Sequence, residues 1–317
     1  MKHKILLPFV ALLSLTSCSK QTTLTDRFFC FDTYVEIKMF EGNEEDLKAL
    51  KNMFNTYDAL SDNYQPRELT NIYRLNHKNT EEHVGDALYD LLKTSLDVQS
   101  EGATYFNPLC GSLAKLWKNE LNSGKIPSES AINAELEKMN NSSIILRDDV
   151  YAQRVGEAEI DLGAIAKGYV LDEAKSYLDN LNYKQYIINA GNSSILLGEK
   201  NTTDGLFNIQ ILDLDNKYLK LKNCVVSTSS KSVQGVTIEG VTYSHIINPI
   251  NGSAINLNDA VIVISEKGYY GDAMSTSMMM NTVEEIKEIE IAHNIKTIVI
   301  RDNSIVYKND GIEVYSK

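Results

Sequence analysis

Glu159-Ile160-Asp161-Leu162-Gly163-Ala164-Ile165-Ala166-Lys167-Gly168-Tyr169-Val170-Leu171-Asp172 contains the change of period on which the reading of this chain turns. Glu159 to Leu162 alternates polar and apolar residues, as a half-buried strand does. After Gly163, the residues Ile165, Ala166, Tyr169, Val170, Ala174 and Leu178 recur at helical spacing. The small residues at the junction let a ligand approach the backbone, and the first helical turn offers unpaired N–H groups to an anion. Asp161 and Lys167 flank that turn with opposite charges. The plainer alternative is a strand-to-helix connection with Asp161 as its cap.

Outward from this stretch, the two halves differ in character. Before it, Phe28 to Met39 reads as one strand with a polar break at Asp32-Thr33, and Leu47, Leu50, Met53, Phe54 and Tyr57 mark a helix over 44–57. Helices are expected over Glu68 to Leu75, along the Leu88, Leu91, Leu92 and Leu96 stripe, through Leu113, Leu116 and Trp117, and over Ser128 to Met139. After it, strands are expected at Tyr186–Ala190, Ser194–Leu197, Phe207–Leu212, Cys224–Ser227, Tyr243–Ile247 and Ala260–Ser265, with turn-rich breaks between them. Helices over Gly271–Met280 and Val283–His293 precede a hairpin turning at Asp302-Asn303. Helices and strands do not alternate strictly and no linker interrupts them. The expectation is one α+β domain over 27–317, with mixed or antiparallel sheets and packed helices.

The chain has 317 residues, 43% hydrophobic and 23% charged, which suits a large globular core. Its net charge of −12 argues against nucleic acid as a partner, because no basic field is available to displace phosphate counterions. An anionic ligand would need local help from a metal or a helix terminus. Met1-Lys2-His3-Lys4 followed by apolar Ile5 to Leu15 reads as a signal peptide over 1–17. Leu15-Thr16-Ser17-Cys18 is similar to a bacterial lipobox, so Cys18 is the expected lipid-modified N-terminus, followed by a tether over 18–26. The alternative is a plain secretory signal. Cys30, Cys110 and Cys224 sit in apolar surroundings and read as small buried hydrophobes, with one bridge left open.

Four further groups have side chains suited to chemistry. Asp272 and Thr276 stand four apart on a helix, so a carboxylate and a hydroxyl can converge on one point as hard oxygen donors for Mg²⁺; a helix cap and a back-bonded Thr would look the same. His245 lies where a strand side chain can reach a pocket. Asn189-Ala190-Gly191-Asn192 can bring backbone close to a ligand, and Ser227-Thr228-Ser229-Ser230 is a polar cluster at a strand end. No phosphate loop, no Gly-x-Gly-x-x-Gly, no local zinc set and no Gly-x-Ser-x-Gly elbow occurs.

In order along the chain, these pieces resemble the ApbE family, the FAD:protein FMN transferases. The match runs through Phe31-Asp32-Thr33, Ser61 to Tyr64, Ala103 to Pro108, Asp161 to Gly168, Asn189 to Ser193, Ser227 to Ser230, His245 to Gly252 and Asp272 to Thr276. The resemblance implies transfer of FMN from FAD to a Thr or Ser hydroxyl of an exported acceptor protein, with release of AMP and with Mg²⁺ as cofactor. It implies metal ligands at Asp272 and Thr276, joined by the backbone of Ala164 and Ser275. It implies flavin contacts from Tyr64, Ala103, Thr104, Tyr105, Phe106, Asp161, Lys167, His245 and Ile247. His245 is the candidate base, with Asp161 behind it. The expected location is the bacterial cell envelope, on the exported side of a membrane and anchored by lipid. FAD hydrolysis to FMN and AMP, or FAD binding without turnover, are the alternatives. The chain departs from the family pattern at Asp32, Asn107, Asn192-Ser193, Ser230-Lys231 and Asn248, where glycines or carboxylates are usual.

Overall fold

The computed structural model describes residues 23–212 and 214–316. The apolar leader and Cys18 lie outside the described residues. β1 (Leu24–Cys30) and β2 (Thr33–Met39) form a hairpin around Phe31-Asp32. Both turn residues have positive φ, 53° and 55°, the pair of left-handed conformations that lets a two-residue turn match strand twist. The polar break expected inside one strand is therefore a chain reversal. β1 also takes in Leu24, Thr25 and Asp26, which the sequence assigned to the tether.

The helical half follows. α1 (Glu44–Ser61) starts at Asn43, whose side chain accepts the N–H groups of Glu45 and Asp46, and its first turn is acidic, as the helix dipole favours. It runs four residues past the expected end, because Leu60 continues the buried stripe. α2 (Ile72–His77) begins later than expected because Asn71 caps it through the Arg74 N–H. β3 (Glu82–His83), α3 (Gly85–Ser100), α4 (Gly111–Asn122) and α5 (Glu129–Asn140) lead to β4 (Ser143–Arg147) and β5 (Tyr151–Val155). β5 sits between β3 and β4 in a small antiparallel sheet.

Glu159 to Leu162 is extended, but it is no strand. Ile160 and Leu162 are fully buried while Glu159 and Asp161 are partly exposed, so the alternation holds. The backbone bonds go elsewhere. The Ile160 N–H donates to Asn76 Oδ1 and Asn76 Nδ2 returns to the Ile160 carbonyl. The Asp161 N–H donates to Pro108 O, and the Glu159 carbonyl accepts from the Gly111 N–H. Loop and side-chain partners satisfy this segment without a ladder.

Thereafter come α6 (Ala166–Asn180), β6 (Tyr186–Ala190), β7 (Ser194–Leu197), β8 (Phe207–Gln210), β9 (Lys217–Leu221), β10 (Cys224–Ser230), β11 (Val236–Ile238), β12 (Val241–Tyr243), β13 (Ala260–Ser265), α7 (Gly268–Ser277), α8 (Val283–His293), β14 (Lys296–Arg301), β15 (Ser304–Lys308) and β16 (Val314–Ser316). Among the described residues, an antiparallel sheet runs β1-β2-β6-β7-β10-β13-β14-β15, and a second runs β16-β9-β8. Side chains alternate across the large sheet. Val35, Ile37, Ile188, Leu196, Val225, Val261 and Val263 join the helices in the main core. Leu197, Val226, Ile262 and Ile298 pack on the opposite face with Phe207, Ile209 and Leu219 of the small sheet. The architecture is α+β, as expected. Cys30, Cys110 and Cys224 are all free.

Candidate active site

A cavity of about 490 Å³ opens at the end of the large sheet where several connections meet, within the size range of small-molecule sites. The β1–β2 turn supplies Phe31, Asp32 and Thr33, the β6–β7 turn Gly191 and Ser193, and the end of β10 Thr228 to Ser230. The stretch before α6 supplies Asp161 and Ala164, α6 itself Lys167, and α7 Asp272, Ser275 and Thr276. His245, Ile246 and Ile247 close another side.

Asp272 is the centre of the polar wall. It lies in the second turn of α7, not at its start; the first N–H groups of the helix, those of Gly268 and Tyr269, are capped by Asp172 at 2.8 and 3.0 Å. Asp272 Oδ1 accepts from Ser194 Oγ at 2.8 Å and Ser227 Oγ at 2.7 Å, and Oδ2 from the Gly168 N–H at 2.6 Å. The side chain is 6% exposed. Burial raises its pKa, against the Lys167 cation and the three donors, which favour the carboxylate. One turn further, Ser229 Oγ lies 2.9 Å from Ser275 Oγ and 3.2 Å from Thr276 Oγ1. One carboxylate and several hydroxyls thus face one point.

Gly168 and Gly268 let this wall form. A Cβ on Gly168 would stand 2.1 Å from the Gly268 carbonyl oxygen, and one on Gly268 2.4 Å from the Gly168 carbonyl oxygen. Two helices meet backbone to backbone there, which brings the Gly168 N–H onto Asp272.

Asp161 is held at both oxygens, by Asn63 Nδ2 at 3.0 Å and by the Gly163 N–H at 2.7 Å. Lys167 is half-buried and, among the described residues, forms no ion pair within 4.0 Å. His245 lies in the loop after β12, so the strand expected to run to Ile247 ends at Tyr243. Protein packed around its ring and the Lys167 cation lower its pKa to about 4. The residue is still exposed to the cavity, and water there works against the burial effect; the direction, toward a neutral imidazole, is what the chemistry uses. Burial, with Asp161 adding to it, pushes the Cys110 thiol up to about 12, which leaves it inert.

The cavity brings together Tyr105, Phe106, Asp161, Ala164, Lys167, His245, Ile247, Asp272, Ser275 and Thr276 of the expected residues. It does not include Tyr64, Ala103 or Thr104. Ala103 is buried in the core, and Thr104 faces solvent. Tyr64 is 52% exposed outside the cavity, with Lys115 and Lys118 over its ring at 5.1 and 4.6 Å. Sequence reasoning missed Ser194 and Asn63 as holders of the two carboxylates, and Ser277, whose hydroxyl accepts the Tyr105 N–H at 3.0 Å. Only distance in sequence hid them, since 78 residues separate Ser194 from Asp272.

The family departures have local explanations. Asn192 takes φ +62°, a conformation Asn tolerates almost as Gly does. Asn107 Oδ1 accepts the Leu109 N–H, and Asn248 Oδ1 the Ile250 N–H at 2.8 Å; each turn needs a side-chain oxygen, which an amide supplies as well as a carboxylate. Lys231 pairs with Asp259.

A sequence profile described as the ApbE family matches residues 31–299. The chain is 30% identical over 190 residues to the FAD:protein FMN transferase of Klebsiella pneumoniae (strain 342), an alignment covering 57% of this chain and 58% of that protein. It spans about three fifths of the length of the curated relatives it matches first. The fold superposes on the ApbE protein of Thermotoga maritima with a TM-score of 0.72 at 19% identity, covering 93% of this chain and 97% of that one. The flavin transferase ApbE of Vibrio cholerae gives the same values. These two likenesses are of architecture.

Proposed function

This chain belongs to the ApbE family, and on that premise we propose that it transfers the FMN half of FAD to a Thr or Ser hydroxyl of an acceptor protein and releases AMP. The observation that carries the proposal is the buried Asp272 carboxylate, held by Ser194, Ser227 and Gly168 beside a second set of hydroxyls in a cavity with Lys167. Such a wall suits a pyrophosphate that arrives with a cation, because phosphoryl transfer depends on positioning and on neutralising charge.

The donor set fits Mg²⁺. Among the described residues no three His, Cys, Asp or Glu side chains cluster; Asp272, Thr276 and the backbone of Ala164 and Ser275 are hard oxygen donors that would hold it, with waters and phosphate completing the shell. When bound, the ion would neutralise charge on the pyrophosphate oxygens. Lys167 adds a fixed cation. Phe106 and Ile247 offer an apolar wall to the flavin, and Ser277 fixes Tyr105 beside it.

In the transfer, the acceptor oxygen bonds to the FMN phosphorus as that phosphorus parts from the bridging oxygen. AMP leaves with the bridging oxygen. The hydroxyl proton passes to His245, whose imidazole is neutral at pH 7 and has a lone pair free. Asp161, held by Asn63, is the second candidate. The reading extends to location: lipid attachment at Cys18 would anchor the chain on the exported side of a bacterial membrane, facing exported acceptors. The support is the sequence of the leader.

The test is incubation of the purified chain with FAD, Mg²⁺ and envelope proteins of cells lacking this chain. Covalent flavin fluorescence on a protein in a denaturing gel supports transfer. Free FMN and AMP without labelling would mean hydrolysis, and unchanged FAD would mean binding alone.

A further inference from the structure

The large sheet is covered unequally. Helices cover one face along its length, and α1 seals the β1 end through Lys51–Asp26 at 2.9 Å and Phe28 against Phe54. On the other face the small sheet covers β7, β10, β13 and β14 through the second core. It does not reach β1 and β2. There Phe29 is 62% exposed and Tyr34 56% exposed, their rings edge to face at 5.6 Å, with the Arg27 guanidinium 4.5 Å over the Tyr34 ring.

β1 is also the last strand of its sheet. In a hairpin with a two-residue turn, the pair flanking the turn, Cys30 and Thr33, is hydrogen-bonded, and bonded pairs alternate from there. Thr25, Arg27 and Phe29 therefore aim their N–H and C=O groups away from β2. Among the described residues none of those groups has a backbone partner outside the hairpin. An open edge with exposed aromatics is a template for another strand. Two residues beyond Phe29, the same hairpin becomes the cavity wall: Phe31, Asp32 and Thr33 line it, and the Phe31 N–H is fixed to Asp58 Oδ1 at 2.9 Å. At about 3.3 Å per residue, a strand laid on β1 delivers its end to the cavity within one or two residues.

We propose that the β1 edge and its Phe29–Tyr34 face dock the acceptor protein, by adding an extended acceptor segment to the sheet so that its hydroxyl enters the cavity past the β1–β2 turn. This rests on the transfer reading. An aromatic pair carrying an arginine has the composition of an interface hot spot, and its seat on a hairpin that is continuous with the cavity ties it to the acceptor, because FAD is held inside.

The test titrates envelope proteins of cells lacking this chain against the purified full chain at saturating FAD, and reads the fluorescent band. Phe29→Ala combined with Tyr34→Ala should raise the half-saturating protein concentration at least ~10-fold. The plateau rate and the FAD affinity, followed by flavin fluorescence, should not change. Both side chains are more than half exposed, so thermal melting should stay at the wild-type value. Arg27→Pro removes one outward N–H and leaves the bonds to β2 intact, so it should weaken labelling beyond Arg27→Ala. If wild type labels and both sets of variants saturate as wild type does, the docking face is wrong and the transfer reading stands. If wild type labels nothing, both fall.

Discussion

Gly168→Ala tests the packing on which the site depends. In an exposed helix interior this change is favourable by about 1 kcal/mol, since Ala is the better helix former. Here the added Cβ would stand 2.1 Å from the Gly268 carbonyl oxygen, 2.4 Å from its carbon and 2.8 Å from the Tyr269 nitrogen. All three are backbone atoms, so no side chain can swing aside. A carbon–oxygen contact of about 3.3 Å requires α6 and α7 to part by roughly 1 Å. Asp272 rides on α7 and takes the Gly168 N–H at 2.6 Å; a shift of that size breaks the bond. Over-packing of about 1–3 kcal/mol and a lost charged hydrogen bond of about 1.5–3 kcal/mol outweigh the helix gain. The net loss is about 1.5–5 kcal/mol, or of the order of 3–8 °C in melting temperature for a domain of this size. Labelling should fall about 100-fold, as expected when reacting groups are displaced by an ångström. Thermal melts by circular dichroism and single-turnover labelling measure the two effects. A variant that melts at or above the wild-type temperature and labels at the wild-type rate would refute the close-packed pair as the reason for glycine.

Three further outcomes follow from the same geometry. Asp272→Asn keeps the shape and one acceptor oxygen but removes the charge, so labelling should drop at least ~100-fold with a higher half-saturating Mg²⁺; wild-type labelling at low Mg²⁺ would remove Asp272 from the metal set. Its surroundings hold the His245 imidazole below its ordinary pKa of 6.5, so stability falls as pH drops below 6.5, and above that the residue contributes no charge change. If it is the base, the acid limb of the labelling rate should lie nearer 4 than 6.5, and a limb centred at 6.5 that survives in His245→Gln would assign it elsewhere. Asn192→Gly should melt within ~0.5 kcal/mol of wild type and label normally, whereas Asn192→Ala should lose about 1 kcal/mol at its φ of +62°; unfolding of the glycine variant would show that the Asn192 side chain does more than tolerate the turn.

Periodicity made burial legible and left hydrogen bonding hidden. At Ile160 and Leu162 the alternation named the buried side correctly, yet the partners are Asn76, Pro108 and Gly111 instead of a neighbouring strand. The same holds at His245, where apolar Ile246 and Ile247 are buried as a strand's would be, but in a loop. Side-chain period reports which groups avoid water, and a loop can impose it as well as a ladder. Asp32 was misread for a related reason: a turn needing two positive φ values looks like a polar interruption when its residues are Phe and Asp. Residues that make the site by long-range contact gave no local sign of their partners, even Ser227, which stands in a polar cluster that the sequence shows. Ser194 and Ser227 meet at one oxygen of Asp272, and the Gly168–Gly268 contact joins glycines whose helical context predicts only weakness.

The net charge of −12 opposes an anionic substrate, and the charges at the cavity decide what one would need to bind. Asp32 of the β1–β2 turn apart, the acids near the cavity are engaged by donors of the chain. Asp161 answers Asn63 and Gly163, Asp172 caps α7, and Glu159 pairs with Lys115 at 2.5 Å. Asp272 takes two hydroxyls and an N–H, so its charge is spread and partly neutralised before any ligand enters. Lys167 is the exception, a cation on the cavity wall without an ion-pair partner among the described residues. Surface charge farther off is screened by water and salt within about 10 Å, but Asp32, Asp161 and Asp272 share the cavity wall with Lys167. A phosphate there therefore needs a further cation beside Lys167, the role the proposed Mg²⁺ would fill.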